Sequence, residues 1–310
     1  MTETNDAVVT EAPKVEDPAT PAKPGKVKQL RGGRSRIPIY LTIGVIVVLW
    51  TIPTLGLLIS SFREPSSIRE NGWWTVFGHL FDSTTWTLDN YRQVLDEGFR
   101  NAFANTLAVS IPSVVIPVTI AAFAAYAFAW MEFPGRNILF VFVVGLMVMP
   151  LQMALIPILR IYTDLDVTGT YPAVWLAHAG FGLPLAVYLL RNYMGSLPSS
   201  MVESAKIDGA DHFNIFVRLM VPLSVPVLAS FAIFQFLWTW NDYLVAYVFL
   251  GIEPEVRVLT VELADLAGRG EGALNLLPAA AFVTMVLPLV VFFALQRFFV
   301  RGLTAGSVKG

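Results

Sequence analysis

Residues 199–222 read SSMVESAKIDGADHFNIFVRLMVP, a polar and charged stretch between two of the longest apolar runs in the chain. The chain as a whole is 55% hydrophobic and only 14% charged, whereas soluble domains carry about 25% charged residues. The composition therefore predicts an integral membrane protein. The charge of the 199–222 stretch indicates a segment that stays outside the bilayer.

Six apolar runs are each long enough to cross a bilayer, which takes about 20 helical residues. They cover residues 37–61, 105–130, 137–159, 171–192, 223–250 and 276–299. The first run is longer than the core of a signal peptide, which has about 7–15 residues, so we interpret it as an uncleaved anchor. The runs predict an all-α integral membrane protein with six transmembrane helices. Prolines interrupt several of the runs. They fit either static kinks in helix packing or hinges in helices that move.

Residues 1–36 differ from the rest of the chain because they are rich in Pro, Glu, Lys, Thr and Gly. Such a segment has too few large apolar residues to offset the entropy of ordering, so we expect a disordered cytoplasmic tail. The chain contains no cysteine, which excludes disulfides and thiolate metal sites. Its net charge of −2 does not favour a nucleic-acid partner.

The distribution of Lys and Arg predicts the orientation. With six spans and a cytoplasmic N-terminus, the inner segments hold 14 of the 21 basic residues and the outer segments hold 7. Because cytoplasmic segments carry the excess of Lys and Arg, both termini are predicted to be cytoplasmic. The prediction depends on the tail, which supplies half of the inner count. It places residues 199–222 in the cytoplasm.

The 199–222 stretch has the pattern of an amphipathic helix. Ser200 followed by Glu203 predicts a capping box, and Pro222 begins the fifth span. Gly209 predicts a bend between two short helices or a close backbone contact. An apolar stripe at steps of three and four residues comprises Val202, Ala205, Gly209, Phe213, Phe216 and Met220.

This stretch resembles the signature E-A-A-x3-G-x9-I-x-L-P of the permease subunits of bacterial ABC importers. The residues in register are Glu203, Ser204, Ala205, Gly209, Leu219, Val221 and Pro222. Ser204, Leu219 and Val221 are conservative departures from it. The resemblance extends over 37–310, but not to the tail or to the outer segment 68–90. NTLAVS, WNDYL and the C-terminal QRFFVRGLTAGSVKG are similar to sugar-importer permeases of the maltose type, in particular the shorter of the two partner permeases.

The resemblance implies the type I ABC importer permease fold in the bacterial cytoplasmic membrane, and a loop helix that docks into a groove of an ATPase subunit. The docking residues that it implies are Glu203, Ser204, Ala205, Gly209, Phe213, Leu219 and Pro222. Two alternatives remain open. In the first, Glu203 serves only as a helix cap. In the second, the apolar stripe packs only on the permease's own helix ends.

The resemblance also implies partners: a second homologous permease, two ATPase subunits and an extracytoplasmic sugar-binding protein. The chain has no G-x-x-x-x-G-K-[ST] phosphate loop, so we expect no enzymatic activity and no cofactor bound by this chain. ATP and Mg would bind the partner ATPase subunits. The implied substrate is a sugar, and we expect an α-glucoside such as maltose or trehalose.

The candidate substrate pathway lies in the fifth apolar run. Its residues are Trp240, Asn241, Asp242 and Tyr243. A carboxylate inside a span is costly and suggests a functional site, although Asp242 could equally form a structural hydrogen bond. The aromatic residues, with Trp238, fit either sugar stacking or the aromatic belt at the outer interface. The three histidines, His79, His178 and His212, lack metal-ligand spacing; packing or surface positions are the expectation.

Three other functions compete with this interpretation. An ABC permease for a non-sugar solute would carry the same loop signature. A secondary transporter would show internal repeats and several intramembrane charges, and the sequence shows no repeat. A membrane enzyme would need catalytic residues that converge, and none do in the sequence.

Overall fold

The computed structural model describes residues 37–79 and 86–304, so the tail 1–36 and residues 305–310 lie outside the described part. The regular elements that it describes are helices, with one isolated bridge between Arg63 and Trp86. The α-helices are α1 (Ile37–Ser61), α2 (Pro65–Glu70), α3 (Asp89–Val94), α4 (Arg100–Trp130), α5 (Arg136–Gly145), α6 (Leu151–Asp164), α7 (Tyr171–Gly195), α8 (Ser199–Ile207), α9 (His212–Ile215), α10 (Val221–Trp240), α11 (Leu244–Leu250), α12 (Leu259–Gly268) and α13 (Leu277–Thr304). Short 3₁₀ or π turns cover Trp73–Gly78, Leu95–Phe99, Leu146–Val148, Phe216–Met220 and Gly270–Ala273.

Five helical stretches of the described chain are long and apolar enough to cross a membrane. They are Ile37–Ser61, Asp89–Trp130, Tyr171–Gly195, His212–Trp240 and Leu277–Gln296. The third apolar run forms a bent pair of helices, which adds a sixth span if the pair crosses the membrane as one unit. The fold is therefore all-α, and five of the six predicted apolar runs contain a helical stretch long enough to cross a membrane.

The third apolar run, predicted as one helix over 137–159, is broken. Arg136–Val148 and Leu151–Asp164 meet at an angle of 103°. The break falls at Pro150, which has no backbone N–H to continue the first helix. Met149 has φ −70° and ψ 119°, the extended conformation that a following proline favours. The local sequence explains the bend, which the apolar count alone did not reveal.

The fifth apolar run also differs from the prediction of one helix over 223–250. Helical structure begins earlier, at His212, and ends at Trp240. A non-helical break at Asn241–Tyr243 then separates α10 from the short helix α11. The charged end of the 199–222 stretch thus continues directly into the membrane helix.

The chain divides after Leu49 into two units. In the first unit, Ile37–Leu49 is a helix whose side chains are all exposed. These residues are almost entirely apolar, as expected of a segment that faces lipid or another subunit. The second unit begins at Trp50 and contains the remaining helices.

Helices α4 and α7 form the centre of the second unit. Their buried positions include many alanines: Ala102, Ala121, Ala122, Ala125, Ala173, Ala177, Ala179 and Ala186. Small residues let two helix backbones approach closely, which favours helix association in a membrane. Helix α10 packs against both α4 and α7, and α13 packs against α10. In this bundle, the 199–222 segment leads into the start of α10, and the Asn241–Tyr243 break follows the end of α10.

Candidate functional site

The loop segment, residues 199–222, begins with α8. The predicted capping box is wrong, because the helix starts one residue earlier than Ser200, with Pro198 at the N-cap and no side-chain cap. Ser200 therefore lies within the first turn, and the Glu203 side chain is exposed. The fixed φ of proline is compatible with the start of a helix, although its ring offers no acceptor to the first N–H groups of α8. Glu203 is free of the capping role that the sequence suggested.

The bend predicted at Gly209 is confirmed. Gly209 has a φ of +82°, the left-handed conformation that glycine adopts without strain. Its N–H donates to the carbonyl of Lys206 at 3.0 Å, and the N–H of Ala210 donates to the carbonyl of Ala205 at 2.9 Å. These two bonds form a Schellman motif, which ends a helix. The next helix starts at once, because the Asp211 carboxylate accepts the Asn214 N–H at 2.7 Å.

The bend divides the predicted apolar stripe between two faces. Val202, Phe216 and Met220 are buried in the chain's own core with Ile215. Phe213, by contrast, is 64% exposed. The prediction of one stripe is therefore wrong, since a single helical period does not continue through a left-handed glycine. The interpretation in which the stripe packs on the permease's own helices holds for its buried members.

Exposed apolar side chains of the loop segment remain available to a partner. Ile207 is 86% exposed at the end of α8, and Phe213 is exposed on α9. Beside them lies a groove of about 550 Å³ between α8 and the start of the fifth span. Its lining includes four of the residues named by the resemblance, Ser204, Ala205, Gly209 and Leu219. Pro222, the second residue of α10, is exposed.

The loop segment is fastened to α4 through Tyr126. The hydroxyl of Tyr126 is 2.9 Å from Nδ1 of His212, and the ring of Tyr126 lies 5.4 Å from that of Phe216. Phe123, also on α4, contacts Phe216 with a centroid distance of 4.5 Å. The loop segment is therefore in direct contact with α4 through one hydrogen bond and two ring contacts.

The second candidate site is the break between α10 and α11, the WNDYL segment. The Asn241 side chain donates to the Leu237 carbonyl at 2.7 Å, and the same carbonyl accepts the Asn241 backbone N–H at 3.2 Å. The Asp242 carboxylate accepts the N–H groups of Val245 at 3.3 Å and Ala246 at 3.0 Å. Asn and Asp favour helix ends because their side chains compete for backbone hydrogen bonds. These two residues thus end one helix and begin the next.

The aromatic residues of this segment occupy different environments. Trp240 is fully buried, and its indole N–H donates to the Thr284 carbonyl at 2.9 Å, which ties α10 to α13. Tyr243 is exposed and stacks on Tyr247 with a centroid distance of 5.3 Å. Trp238, two residues before Trp240, lines an apolar cavity of about 520 Å³. The structure therefore gives Trp240 a packing environment and places Trp238 at a cavity.

The apolar cavity lies at the bend of the third run. Its walls come from α6 and α7 and from the turn at residues 146–149, and they include Met147, Met149, Tyr162 and Phe181. Aromatic and methionine side chains with few polar groups are typical of small-molecule sites. This cavity could not be predicted from the sequence, because its wall depends on the 103° bend.

His178 and Asp242 meet in the interior, a contact that was not predicted from the sequence. Nε2 of His178 is 3.6 Å from Oδ2 of Asp242. His178 is completely buried, and its ring lies edge-on to Trp238 at 5.0 Å. The expectation that His178 is a packing residue fits its burial, but its carboxylate neighbour was not foreseen. A signal was available, since each is an ionisable residue within an apolar run.

Residues 107–305 match the protein family described as "Binding-protein-dependent transport system inner membrane component". The chain belongs to this family. It is thus a multi-pass membrane protein and the permease component of an ABC importer rather than an enzyme; ATP hydrolysis resides on a separate subunit. The match includes both the loop segment and the WNDYL break, whereas α1 lies outside it.

Curated permeases are similar over most of this chain. The osmoprotective compounds uptake permease protein GgtD of Synechocystis sp. is 54% identical, and the alignment covers 88% of this chain and 92% of that protein. The alpha-glucoside transport system permease protein AglG of Rhizobium meliloti is 44% identical, with 88% and 97% covered. The trehalose transport system permease protein SugB of Mycobacterium tuberculosis is 30% identical, with 90% and 100% covered.

The permease fold is shared with a solved structure. A chain from the crystal structure of a bacterial ABC transporter involved in the import of the acidic polysaccharide alginate superposes with a TM-score of 0.68, covering 86% of this permease and 98% of that chain. The two sequences are 20% identical. This likeness concerns the fold alone, and it assigns this permease to the type I ABC importer architecture.

Proposed function

We propose that this permease forms half of the translocation pathway for an α-glucoside-type sugar. The observation that carries the proposal is the 44% identity to an alpha-glucoside permease, over 97% of that protein. Relatives whose names specify trehalose and maltodextrin, at 30% and 31% identity, support the same substrate class. The apolar, aromatic cavity at Trp238 suits the flat face of a sugar ring.

The relative with 54% identity favours a second substrate description, an osmoprotective compound. The two descriptions are compatible, because one small uncharged α-glucoside can serve as an osmoprotectant. A non-sugar osmoprotectant is the competing substrate. A secondary transporter is disfavoured by membership in a binding-protein-dependent family.

The proposed assembly contains this permease, a second homologous permease, two ATPase subunits and an extracytoplasmic sugar-binding protein. This chain binds no cofactor in the proposal, and ATP and Mg bind the ATPase subunits. Six spans with both termini in the cytoplasm place the loop segment on the ATPase side. A tag at residue 210 should therefore be labelled from the cytoplasmic side only, and labelling from outside would contradict the orientation.

The loop segment is the proposed ATPase-docking element. Exposed Ile207 and Phe213 supply apolar contacts. The adjacent groove allows the ATPase to come close to the backbone of the loop segment; it is lined by Ser204, Ala205, Gly209 and Leu219. A short helix that lays apolar side chains into a partner groove is a common recognition mode. Glu203 is exposed and can pair with a basic residue of the ATPase.

Uptake of radiolabelled solutes tests the substrate. A strain that lacks this permease is compared with its complemented parent, using maltose, trehalose, a glucosylated polyol and the non-sugar osmoprotectant glycine betaine. We expect loss of uptake for at least one α-glucoside and unchanged uptake of glycine betaine. Loss confined to glycine betaine would replace the sugar proposal with the competing one.

A further inference from the structure

The 3₁₀ turn at Trp73–Gly78, called the aromatic turn below, folds back against the last part of α1. The indole of Trp73 lies so close to Gly56 that a Cβ on Gly56 would stand 2.8 Å from Nε1. Gly56 is buried and precedes the end of α1 at Ser61 by five residues, which is about 7 Å along a helix axis. The Trp73 ring therefore lies beside the membrane-spanning helix and not beyond its end.

Arg63 fastens the connection between α1 and the aromatic turn. Arg63 is only 3% exposed, and its guanidinium donates to the carbonyls of Asn71 at 3.3 Å and Ser67 at 3.0 Å. It also donates to the hydroxyl of Thr75, within the turn, at 3.4 Å. That hydroxyl in turn donates to the Gly72 carbonyl at 2.8 Å. One buried guanidinium thus holds both the approach to the turn and the turn itself in place.

The aromatic turn presents two large exposed rings. Trp74 is 63% exposed and Phe77 is 62% exposed. Each stands edge-on to the Trp73 ring, with centroid distances of 6.1 Å, so both adjoin the ring that contacts α1. Residues 71–79 include no Asp, Glu, Lys or Arg. The exposed surface of the turn is therefore aromatic and uncharged.

The neighbouring surface of α1 is apolar as well. Leu55 and Leu57, on either side of Gly56, are 46% and 47% exposed, and they belong to a helix long and apolar enough to cross a membrane. The rings of the aromatic turn extend this surface near the end of the span. Tryptophan and other aromatic side chains are enriched at that depth, where an apolar helix meets the lipid headgroups. Lipid is thus the occupant that the position and composition of the turn fit.

We propose that the aromatic turn is an interfacial anchor. Trp74 and Phe77 insert among the lipid headgroups at the Ser61 end of α1, and the contact of Trp73 with Gly56 sets their depth. In the proposed orientation this is the outer leaflet, and only the name of the leaflet depends on that orientation. Interfacial aromatic residues set the tilt and depth of a membrane helix, so the turn positions α1, which lies outside the residues that match the family.

Electron paramagnetic resonance on the assembled transporter in lipid nanodiscs tests the anchor. The chain contains no cysteine, so a single nitroxide label can be attached at Trp74→Cys or Phe77→Cys, with partner subunits that are also free of cysteine. Power saturation compares collisions of the label with oxygen, which concentrates in lipid, and with a water-soluble nickel chelate. We expect the ratio of oxygen to nickel collisions to be several-fold higher at both sites than at Asp164→Cys, an exposed position at the end of α6.

Three results would overturn the proposal. A collision ratio equal to that of Asp164→Cys would place the rings in water. Poor access of both reagents to the labels would place the rings against a protein, such as the second permease. Protection from nickel only after the sugar-binding protein is added would make the turn a docking surface for that protein.

A substitution in α1 tests whether the contact of Trp73 sets the depth. Gly56→Ala adds a Cβ where the Trp73 ring lies, so the ring must move. We expect the collision ratio at Phe77→Cys to fall toward the value at Asp164→Cys. Gly44→Ala is the matched control on the same helix, because no atom lies within 4 Å of its added Cβ. An unchanged ratio in Gly56→Ala would overturn the role of Trp73, and the comparison without this variant stands by itself.

Discussion

The side-chain oxygen of Gln235 lies so close to Gly182 that a Cβ on Gly182 would stand 2.5 Å from it. Gln235 is fully buried on α10, and its amide nitrogen already bridges two carbonyls on α4 and α7. Gly182 is therefore required for the amide to reach both neighbouring helices. This is the closest example in the core of small residues permitting a polar contact between membrane helices.

Replacing Gly182 with alanine should destabilise the bundle, because the buried amide must move and lose at least one hydrogen bond. We expect a loss of about 1–3 kcal/mol, in the range of overpacked cores. The measurement is the free energy of unfolding, or the midpoint of thermal unfolding, in detergent. Gly180→Ala is the matched control, since no atom lies within 4 Å of its added Cβ. Equal stability of the two variants would refute the close contact.

Capping of the loop segment should depend on Asp211 and not on Ser200. Asp211→Ala removes the acceptor for the Asn214 N–H, and loss of an N-cap costs about 1 kcal/mol. Hydrogen exchange at the Asn214 amide should rise accordingly, on the order of fivefold. Ser200→Ala, at a position inside α8, should leave exchange unchanged in both helices. If Ser200→Ala raised hydrogen exchange more than Asp211→Ala, the capping-box interpretation would be correct after all.

Coupling to the ATPase should fail when the loop segment is altered at its bend or exposed face. Gly209→Asp places a charged side chain at φ +82° beside the groove, and Glu203→Lys reverses an exposed charge. We expect loss of solute-stimulated ATP hydrolysis with normal membrane insertion. Glu132→Lys, a charge reversal at another exposed position in a predicted cytoplasmic loop, should retain stimulation. If stimulation survives both loop variants, the docking proposal fails.

The pairing of Arg269 with Glu97 should contribute little to stability. Arg269 Nη1 is 2.8 Å from Glu97, and Nη2 is 3.0 Å from Asp265. Both partners are partly exposed, and pairs of this kind contribute about 0–1 kcal/mol. Glu97→Gln should therefore lower the free energy of unfolding by less than about 1 kcal/mol, and less at high salt. A loss above about 2 kcal/mol would show that the pair is a structural tie.

The pKa of Arg269 determines how its contribution to stability depends on pH. Its hydrogen bond to Asp265, and then that to Glu97, raise the pKa of Arg269 above its already high ordinary value, against the lowering effect of burial. A raised pKa of a base gives stability that is present below the unfolded pKa and lost only as pH rises past it. Raising the pH from 7 to 10 should therefore leave the contribution of Arg269 to stability unchanged. The difference in free energy of unfolding between wild type and Arg269→Gln should be the same at both pH values. A difference that shrinks by pH 10 would contradict it.

The local features of the loop segment were predictable because they follow from residues near in sequence. The bend at Gly209 depends on one residue's φ and on hydrogen bonds that span three to five positions. The membrane location and the family signature likewise follow from run lengths and fixed spacing. The capping box was wrong because Pro198 supplies an equally local start one residue earlier.

The faces of the membrane helices were not predictable in the same way. Lipid is as apolar as leucine, so lipid-facing and buried positions of α4 or α10 do not differ in polarity as they would in water. The division of the apolar stripe, with Phe216 buried and Phe213 exposed, depended on the turn at Gly209. The break at Pro150 was visible as a proline, but not as a bend of 103°.

The sequence by itself determined that this chain enters the membrane, that it contains six long apolar runs, and which polar segment remains outside the bilayer, because run length and hydropathy are local properties. Only the tertiary structure decided that His178 meets Asp242 and that Gln235 joins three helices. Those contacts depend on the rotation and depth of separate helices in the bundle. No spacing along the chain specifies these, since a relative rotation of one residue, about 100°, turns a side chain from the core to the lipid.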